Sequence, residues 1–173
     1  MTRLLNRRGL EQALQVSMAH ALRHGLPTSA IVVDIDQFKR VNESFSHEVG
    51  DHLIRQIADM ITRLCRTSDV VARSGGEEFL LILPDTTLDA ARLLAERLRE
   101  AIGERPLLVD FQRIAVTVSM GVASVNGEVH LDSLIQEADR ALYLAKRGGG
   151  NRVASVEQRR VNLSTASGRN SAN

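Results

Sequence analysis

The chain has 173 residues, of which 43% are hydrophobic and 25% are charged, and its formal net charge is +1. These values are ordinary for a single soluble globular domain, and they create no global field that would attract nucleic acid. Aromatic residues make up only 3%, with no Trp and one Tyr, which argues against a base-stacking surface. No apolar run approaches the ~20 residues of a membrane span and no signal peptide is visible, so the sequence predicts a cytoplasmic location.

The first part of the chain changes from helical to strand-like periodicity. Helical spacing predicts a helix over roughly residues 6–24. The alternating, β-branched stretch 29–36 predicts a central strand, with its odd-numbered Ile and Val side chains on one face and Asp34 on the other. Asp36 is predicted to cap a short helix over residues 37–45.

A second long helix and a strand pair follow. The lone cysteine, Cys65, lies on the apolar face of this helix, which favours a buried structural thiol over a reactive one. Apolar stretches at residues 70–72 and 79–83 predict two strands around a glycine turn. Apolar residues at helical spacing mark the second and third helices: Leu53, Ile57, Ile61 and Leu64, then Leu88, Ala91, Ala95, Leu98 and Ile102.

The last part of the chain completes an αβααββαβαβ order, which predicts an α+β fold with helices against the faces of a mixed sheet. Residues 114–125 read as one strand, with Gly121 as a bend or a close approach. A final helix ends at a run of three glycines, and a short strand is predicted near residues 152–156. The polar stretch 158–173 is predicted to be a disordered tail, so the domain is predicted to cover residues 1–157.

The turn Gly75-Gly76-Glu77-Glu78-Phe79 joins two glycines to two adjacent carboxylates between strands. Glycine lets the backbone approach a ligand closely. If this hairpin pairs beside the central strand, both glutamates meet Asp34 at one end of the sheet, and a divalent cation would relieve their repulsion. Oxygen ligands favour Mg²⁺ or Mn²⁺ over zinc. The spacing alone leaves an alternative, in which Asp34 and Asp36 are capping residues and the glutamates are solvated.

The roles of several further polar residues can each be interpreted in two ways. An amide and a carboxylate, Asn42 and Asp51, can jointly read a guanine edge. Alternatively, Asp51 caps a helix that starts near His52, and His47 is an ordinary surface histidine. Four basic residues either neutralise phosphate oxygens or are solvated charges: Lys39, Arg40, Lys146 and Arg147.

Several motifs, in order and at the same spacing, closely resemble those of the GGDEF domains, the diguanylate cyclases, over about residues 2–153. The resemblance implies a palm-like fold with a ferredoxin-like core, in which helices wrap a central antiparallel sheet as in nucleotide cyclase and polymerase palms. It also implies condensation of two GTP into cyclic di-GMP with release of pyrophosphate. The motifs are Leu5-Asn6-Arg7-Arg8, Asp34 to Asn42, the HxxGD element from His47 to Asp51, the GGEEF signature Gly75 to Phe79, Thr117 to Ala123, and Ala138 to Lys146.

The resemblance further implies roles for individual residues. Asp34, Glu77 and the carbonyl of Ile35 would hold Mg²⁺ or Mn²⁺, with Glu78 beside the same ions. Glu77 would also be the base for the 3′-hydroxyl, and Lys39 would stabilise charge developing on the phosphates. Asn42 and Asp51 would contact guanine and Lys146 the terminal phosphates. The full set implied for the nucleotide is Phe38, Asn42, His47, Asp51, Gly75, Gly76 and Lys146.

Assembly and regulation are also implied by the resemblance. Each domain would bind one GTP, so the active species would be a homodimer, assembled by an N-terminal regulatory region that could tether the full-length protein to a membrane. Arg66-Thr67-Ser68-Asp69 resembles the RxxD inhibitory site for cyclic di-GMP, with Arg97 as a second contact. The alternative from another functional class is a catalytically silent GTP-binding or cyclic di-GMP receptor module. A pure dimerisation scaffold would leave the acids unexplained.

The chain departs from the family pattern at two positions. Gly150 stands where the family usually has a phosphate-binding arginine, and Arg147 or Arg152 is a potential substitute. Ser46 stands where the family prefers glycine, and a positive φ there would strain it.

Overall fold

A computed structural model describes residues 25–104, 106–109, 111–126 and 131–157. The predicted first helix, the Leu5-Asn6-Arg7-Arg8 motif and the predicted tail lie outside the described residues. Four helices are described: α1 Phe38–Ser44, α2 His47–Leu64, α3 Leu88–Gly103 and α4 Leu131–Arg147. The described strands are β1 Pro27–Ile35, β2 Val70–Arg73, β3 Glu78–Pro84, β4 Leu107–Val109, β5 Gln112–Ile114, β6 Val118–Asn126 and β7 Val153–Glu157.

The main sheet has the strand order β2-β3-β1-β6-β7, so β1 lies at its centre. The pairs β2–β3, β3–β1 and β1–β6 are antiparallel, whereas β6–β7 is parallel. The predicted α+β class with a mostly antiparallel central sheet is therefore confirmed. A separate two-stranded sheet contains β4 and β5.

Alternation along the central strands separates two hydrophobic layers. The odd-numbered residues of β1, such as Ile31 and Val33, pack in one layer with α2 and α3, and Phe79 and Leu81 of β3 join them. The even-numbered Ala30 and Val32 belong to the other layer, together with Leu80, Ile82 and residues of α4. The predicted alternation is confirmed. Asp34, two residues beyond Val32, therefore belongs to the face of the sheet that α4 covers.

The predicted strand over residues 114–125 is wrong as one element. Gln112–Ile114 pairs with Leu107–Val109 in the small sheet, and β6 begins only at Val118. The apolar pattern runs through both segments, and it contains no signal for the change of pairing partner between them. The hairpin itself reverses at Phe111, a non-glycine residue with φ 66.

The capping role predicted for Asp36 is wrong, and the alternative in which Asp51 caps a helix is excluded as well. Gln37, with φ 56, is the N-cap residue of α1, and no side chain caps that helix. The Asp36 carboxylate instead accepts hydrogen bonds from Thr117 Oγ1 and Ser119 Oγ. Asp51 lies inside α2, whose N-cap is Ser46. The Asp36 carboxylate is taken by partners that are distant in sequence, whereas the N-cap of α2 lies five residues before Asp51.

Cys65 directly follows α2 and is half-buried against the core layer of α2 and α3. Burial, and secondarily the charge of Asp69, raises the pKa of its thiol to about 12. The thiolate is the reactive form, so this environment agrees with a structural rather than a reactive cysteine. Within the described part of the chain, no helix has both the length and the apolar composition needed to cross a bilayer.

Gly121 of β6 allows α4 to approach the sheet backbone directly. A Cβ placed on Gly121 would lie 2.0 Å from the carbonyl oxygen of Ala138 and 2.1 Å from the backbone nitrogen of Leu142. The predicted close approach at this glycine is therefore confirmed. The contact holds α4 against the centre of the sheet, and Lys146 lies one turn beyond Leu142.

Replacement of this glycine is expected to destabilise the fold. Gly121→Ala forces the backbones of α4 and β6 apart, since neither contacting group is a flexible side chain, and we expect a loss of about 3 kcal/mol or more. Urea unfolding of the variant and the parent measures the difference. Gly103→Ala is the matched control, because a Cβ there would meet its neighbours at 3.8 Å and 3.9 Å. Equal effects of the two substitutions would contradict the packing account.

Candidate active site

The pairing of β1 with β3 brings two acids together. Asp34 and Glu78 are direct partners in the antiparallel register, so their Cβ atoms lie on the same face about 5 Å apart. Asp34 is buried, and Lys146 from the last turn of α4 places its Nζ 2.7 Å from Asp34 Oδ2. A buried carboxylate requires such a partner, because an unpaired one would lose its hydration without compensation.

Glu78 is the electrostatically strained member of this group. Burial is the largest cause that raises its pKa, and the negative charge of Asp34 is the next. Lys146 lowers the same pKa, whereas Asp139 and Glu77 raise it further. The excess of acids over bases creates a local demand for positive charge at this end of the sheet.

Asp139 also belongs to this acidic group, although it was not predicted from the sequence as a site residue. It lies two helical turns before Lys146 on α4, so both side chains project from one helix face. Burial raises the pKa of Asp139 as well. The signal was present in the Ala138 to Lys146 motif, but the motif alone assigns no contact to the aspartate.

The acid pair fits part of a divalent-cation shell. Among the described residues, no three His, Cys, Asp or Glu side chains form a complete metal-binding group. Mg²⁺, however, is usually held by one or two carboxylates together with substrate phosphates and water. Asp34 and Glu78 provide such carboxylates, and the Lys146 ammonium at 2.7 Å already places a positive charge against Asp34.

Glu77, the other acid of the turn, borders a different space. Its carbonyl oxygen accepts a hydrogen bond of 3.3 Å from the Ile35 backbone N–H, which ties the turn to the end of β1. Glu77 also lines a cavity of about 550 Å³ between the turn, α1 and the start of α2. The sequence-predicted residues that line the same cavity are Phe38, Lys39, Asn42, His47, Asp51 and Gly76.

Arg73 is a residue of this cavity that no motif indicated. It ends β2, and its Nε donates hydrogen bonds of 3.1 Å to the carbonyl oxygens of both Gly75 and Gly76. These hydrogen bonds stabilise the conformation of the glycine turn, although Arg73 itself is not part of the GGEEF signature. Only the β2–β3 pairing places it there, so its role depends on tertiary structure.

Asn42, which lines this cavity, packs closely against Gly50 of α2. Asn42 Oδ1 is buried and has no hydrogen-bond partner within the described residues. A Cβ on Gly50 would lie 2.0 Å from this oxygen. Glycine inside the first turns of a helix is unfavourable by itself, so its place in α2 follows from the room that the Asn42 amide needs.

A second cavity, of about 330 Å³, lies on the Lys146 side of the sheet end. Lys146 is the basic residue of this cavity in the described part of the chain. Arg147 lies 5.8 Å from the centre of the Tyr143 ring, and Arg152 Nε donates to the carbonyl oxygen of Gly150. Neither arginine borders the cavity, so the geometry gives no support to either as a substitute at position 150. The lining residues are Asp34, Asp36, Gln37, Thr117, Lys146, Gly149 and Gly150.

Ser46, the other departure from the family pattern, has a nearly extended backbone with φ 159 and ψ 167. The φ of Ser46 is thus positive but lies at the edge of the extended region, unlike the left-handed backbone of Gln37 at φ 56. Its side chain accepts a hydrogen bond from the Val49 backbone N–H at 3.3 Å and caps α2. Serine thus supplies an N-cap that a glycine cannot.

The predicted inhibitory motif forms a tight turn between α2 and β2. The Arg66 backbone N–H donates to Asp69 Oδ2 at 2.7 Å, and the Asp69 backbone N–H donates to the Arg66 carbonyl oxygen at 3.0 Å. Burial raises the pKa of Asp69. The side chains of Arg66 and Arg97 are both exposed, and their role in ligand binding stays a prediction.

Comparison with known proteins gives concordant matches. Residues 1–152 match the family described as "Diguanylate cyclase, GGDEF domain". Diguanylate cyclase DosC of Escherichia coli K12 is 39% identical over 154 residues, which cover 88% of this chain and 34% of DosC. The chain thus spans about a third of the length of this relative. Two solved structures are similar at a TM-score of 0.82: the GGDEF domain of DgcB from Caulobacter crescentus in complex with c-di-GMP (35% identity, 89% of each chain) and the active GGEEF domain of a diguanylate cyclase from Vibrio cholerae (33% identity, 91% of this chain and 100% of that one).

Replacement of Gly50 is expected to move the Asn42 amide. In Gly50→Ala the new methyl group overlaps Asn42 Oδ1, which is the free end of a side chain, so the amide shifts while the helix gains propensity. We expect the Asn42 side-chain amide resonances to change, together with those of the Phe38 ring, whose Cζ the new methyl group would meet at 3.0 Å. Gly103→Ala should leave those resonances in place. Unchanged Asn42 resonances in Gly50→Ala would contradict the contact.

Proposed function

We propose, because this chain belongs to the GGDEF domain family, that it is a diguanylate cyclase domain that condenses two GTP into cyclic di-GMP and two pyrophosphates. The observation that carries this proposal is the β1–β3 register. It pairs Asp34 with Glu78 of the GGEEF turn, while Glu77 of the same turn lines the cavity of Asn42 and Asp51, and Asp34 lines the cavity of Lys146. A nucleotide with its base in the first cavity would have its phosphates beside the acids and the lysine.

The larger cavity has the chemistry to hold guanine. The Asp51 carboxylate can accept hydrogen bonds from the N1 and N2 hydrogens of the base, and the Asn42 amide can donate to its acceptors. Phe38 and His47 add apolar and polar surface to the same lining. Gly75 and Gly76 allow the turn backbone to approach the sugar and phosphates closely.

Mg²⁺ or Mn²⁺ would be held by Asp34, Glu78, Glu77 and the carbonyl of Ile35. When bound, the cation lowers the pKa of the attacking 3′-hydroxyl and neutralises the pyrophosphate leaving group. Glu77 accepts the proton of the hydroxyl. Lys39 is exposed, and its ion pair with Glu43 is long at 3.7 Å, so its side chain can reorient towards charge that develops on the phosphates.

Lys146 has two successive partners in this proposal. In the ligand-free protein it neutralises Asp34 at 2.7 Å. On nucleotide binding its ammonium would move to the terminal phosphates, and the divalent cation would take its place at Asp34. Asp34 would then be paired with a positive charge in both states, which avoids the cost of an isolated buried carboxylate.

Two copies of the domain are required for the reaction. Each copy has one base cavity beside one GGEEF turn, so the 3′-hydroxyl of one GTP must reach the α-phosphorus of the other GTP from a facing copy. We propose a homodimer brought together by an N-terminal regulatory region. Cyclic di-GMP would bind at Arg66, Asp69 and Arg97 and restrain the enzyme.

The proposed acids are tested by activity. Purified protein is incubated with GTP and Mg²⁺, also as a fusion to a dimeric coiled coil, and cyclic di-GMP and pyrophosphate are quantified. We expect Asp34→Ala and Glu77→Ala to lower kcat by roughly 100-fold or more, the size typical for loss of a catalytic base or a metal ligand. Asp59→Ala, which removes an exposed carboxylate of α2, should retain activity. Full activity in either acid variant would refute its role, and an inactive parent that binds GTP would indicate a silent receptor module.

The inhibitory site is tested by product inhibition. Arg66→Ala removes the guanidinium that would pair with phosphate and stack on guanine. We expect the concentration of added cyclic di-GMP that halves the rate to rise about tenfold or more, the size of a lost charge-assisted hydrogen bond. Arg63→Ala, an exposed arginine of the last turn of α2, is the control. Equal inhibition of Arg66→Ala and the parent would show that the site lies elsewhere.

A further inference from the structure

The loop that leaves α4 has an unusual backbone. Three consecutive residues have positive φ values: Gly149 at 109, Gly150 at 75 and Asn151 at 47. Glycine adopts such angles easily, and asparagine is one of the few other residues that tolerates them. The loop has no side chain at its three glycines, 148–150, so the contacts of Asn151 are important for its shape.

Two distant side chains hold Asn151 from opposite ends. Its backbone N–H donates to Asp36 Oδ2 at 2.9 Å, and its side-chain Oδ1 accepts from Arg99 Nη1 at 3.1 Å. Asp36 follows β1, and Arg99 lies on α3. The three residues, here called the Asn151 clamp, therefore join the end of the central strand, α3 and the loop after α4.

Both holding groups are themselves fixed. Asp36 accepts hydrogen bonds of 2.7 Å from Thr117 Oγ1 and from Ser119 Oγ, so its carboxylate cannot turn freely. Arg99 forms an ion pair of 2.7 Å with Glu96 on its own helix. A Cβ on Gly150 would meet Asp36 Oδ1 at 3.2 Å, so the glycine at this position lets the loop approach the carboxylate closely.

The clamped loop is hydrogen-bonded to the last turn of α4, which carries Lys146. The Gly149 N–H donates to the carbonyl oxygen of Lys146 at 3.0 Å, and the Gly150 N–H donates to that of Ala145 at 3.2 Å. Lys146, Asp36 and both glycines also border the same 330 Å³ cavity. Two backbone hydrogen bonds therefore link the loop to the helical turn from which Lys146 reaches this cavity.

We propose that Asp36 and Arg99 are positioning residues, which clamp Asn151 and thereby fix Lys146 where it meets the terminal phosphates of GTP. This inference rests on the proposed function of Lys146. It assigns to Asp36 a role distinct from that of Asp34: the carboxylate of Asp36 accepts three hydrogen bonds from the protein, whereas Asp34 pairs with the lysine.

The clamp is tested by comparing GTP with GMP, which lacks the terminal phosphates. Affinities of Asp36→Asn and Arg99→Met for both nucleotides are measured by calorimetry with Mg²⁺, and KM and kcat are measured separately. We expect GTP affinity to fall about fivefold to tenfold, the size of one hydrogen bond to a charged group, with GMP affinity unchanged. KM should rise more than kcat falls, and Arg99→Lys should restore part of the GTP affinity.

Controls separate positioning from loss of folding. Arg92→Met, an exposed arginine on the same helix, should change neither affinity. Arg99→Met retains the aliphatic stem of a surface side chain, so it remains informative if Asp36→Asn lowers the Tm strongly. Equal weakening of GTP and GMP, or no weakening of either, would overturn the clamp.

Lys146→Ala distinguishes failure of the clamp from failure of the proposed function. If this variant loses GTP affinity while Asp36→Asn and Arg99→Met do not, the clamp is wrong and the phosphate role of Lys146 stands. If Lys146→Ala binds GTP normally, the phosphate role fails. In that case, hydrogen exchange of the Asn151 backbone amide tests whether Asp36 holds Asn151. If the clamp exists, Asp36→Asn should accelerate this exchange about tenfold. An unchanged exchange rate would show that the clamp does not exist.

Discussion

The antiparallel pairing of β1 with β3 is the constraint on which the site depends. Because side chains alternate between faces, a shift of one residue would turn Asp34 away from Glu78 and move the apolar residues of both strands to the wrong layer. The register is set by burial, since Ile31 and Phe79 require one layer and Val32 and Leu80 the other. The core thus specifies the position of the acids with the same pattern that stabilises the fold.

Charge balance is the second constraint at this end of the sheet. Asp34, Glu78 and Asp139 lie near one another, and their mutual repulsion and burial are only partly offset by Lys146. Such an arrangement does not maximise stability, and the proposed binding of a divalent cation and of the GTP phosphates rests on its unmet demand for positive charge. The lysine reaches it because Gly121 lets α4 pack directly on β6. The stability of the fold and the proposed phosphate binding therefore depend on the same helix.

Much of the fold was predictable because its signals are local. The alternation of β1, the helical spacing of α2 and α3 and the close approach at Gly121 follow from short stretches of sequence, and each agrees with the structure. The single strand over residues 114–125 was wrong, because a continuous apolar pattern does not show where a strand changes partners. Asp36 as a cap was wrong for a related reason: Thr117 and Ser119, distant in sequence, take its carboxylate.

The sequence by itself determined which charged groups are present: the acids of the GGEEF turn, an aspartate at the end of a central strand and a lysine in the last helix. Tertiary structure decided how these groups are shared between the cavities. Glu78 lies opposite Asp34 while Glu77 borders the Asn42 cavity, because the strand register assigns each residue to a face. Arg99 and Asp36 meet at Asn151 across 52 and 115 residues of chain. No local pattern encodes such contacts, since they exist only after the sheet has formed and the helices have packed on it.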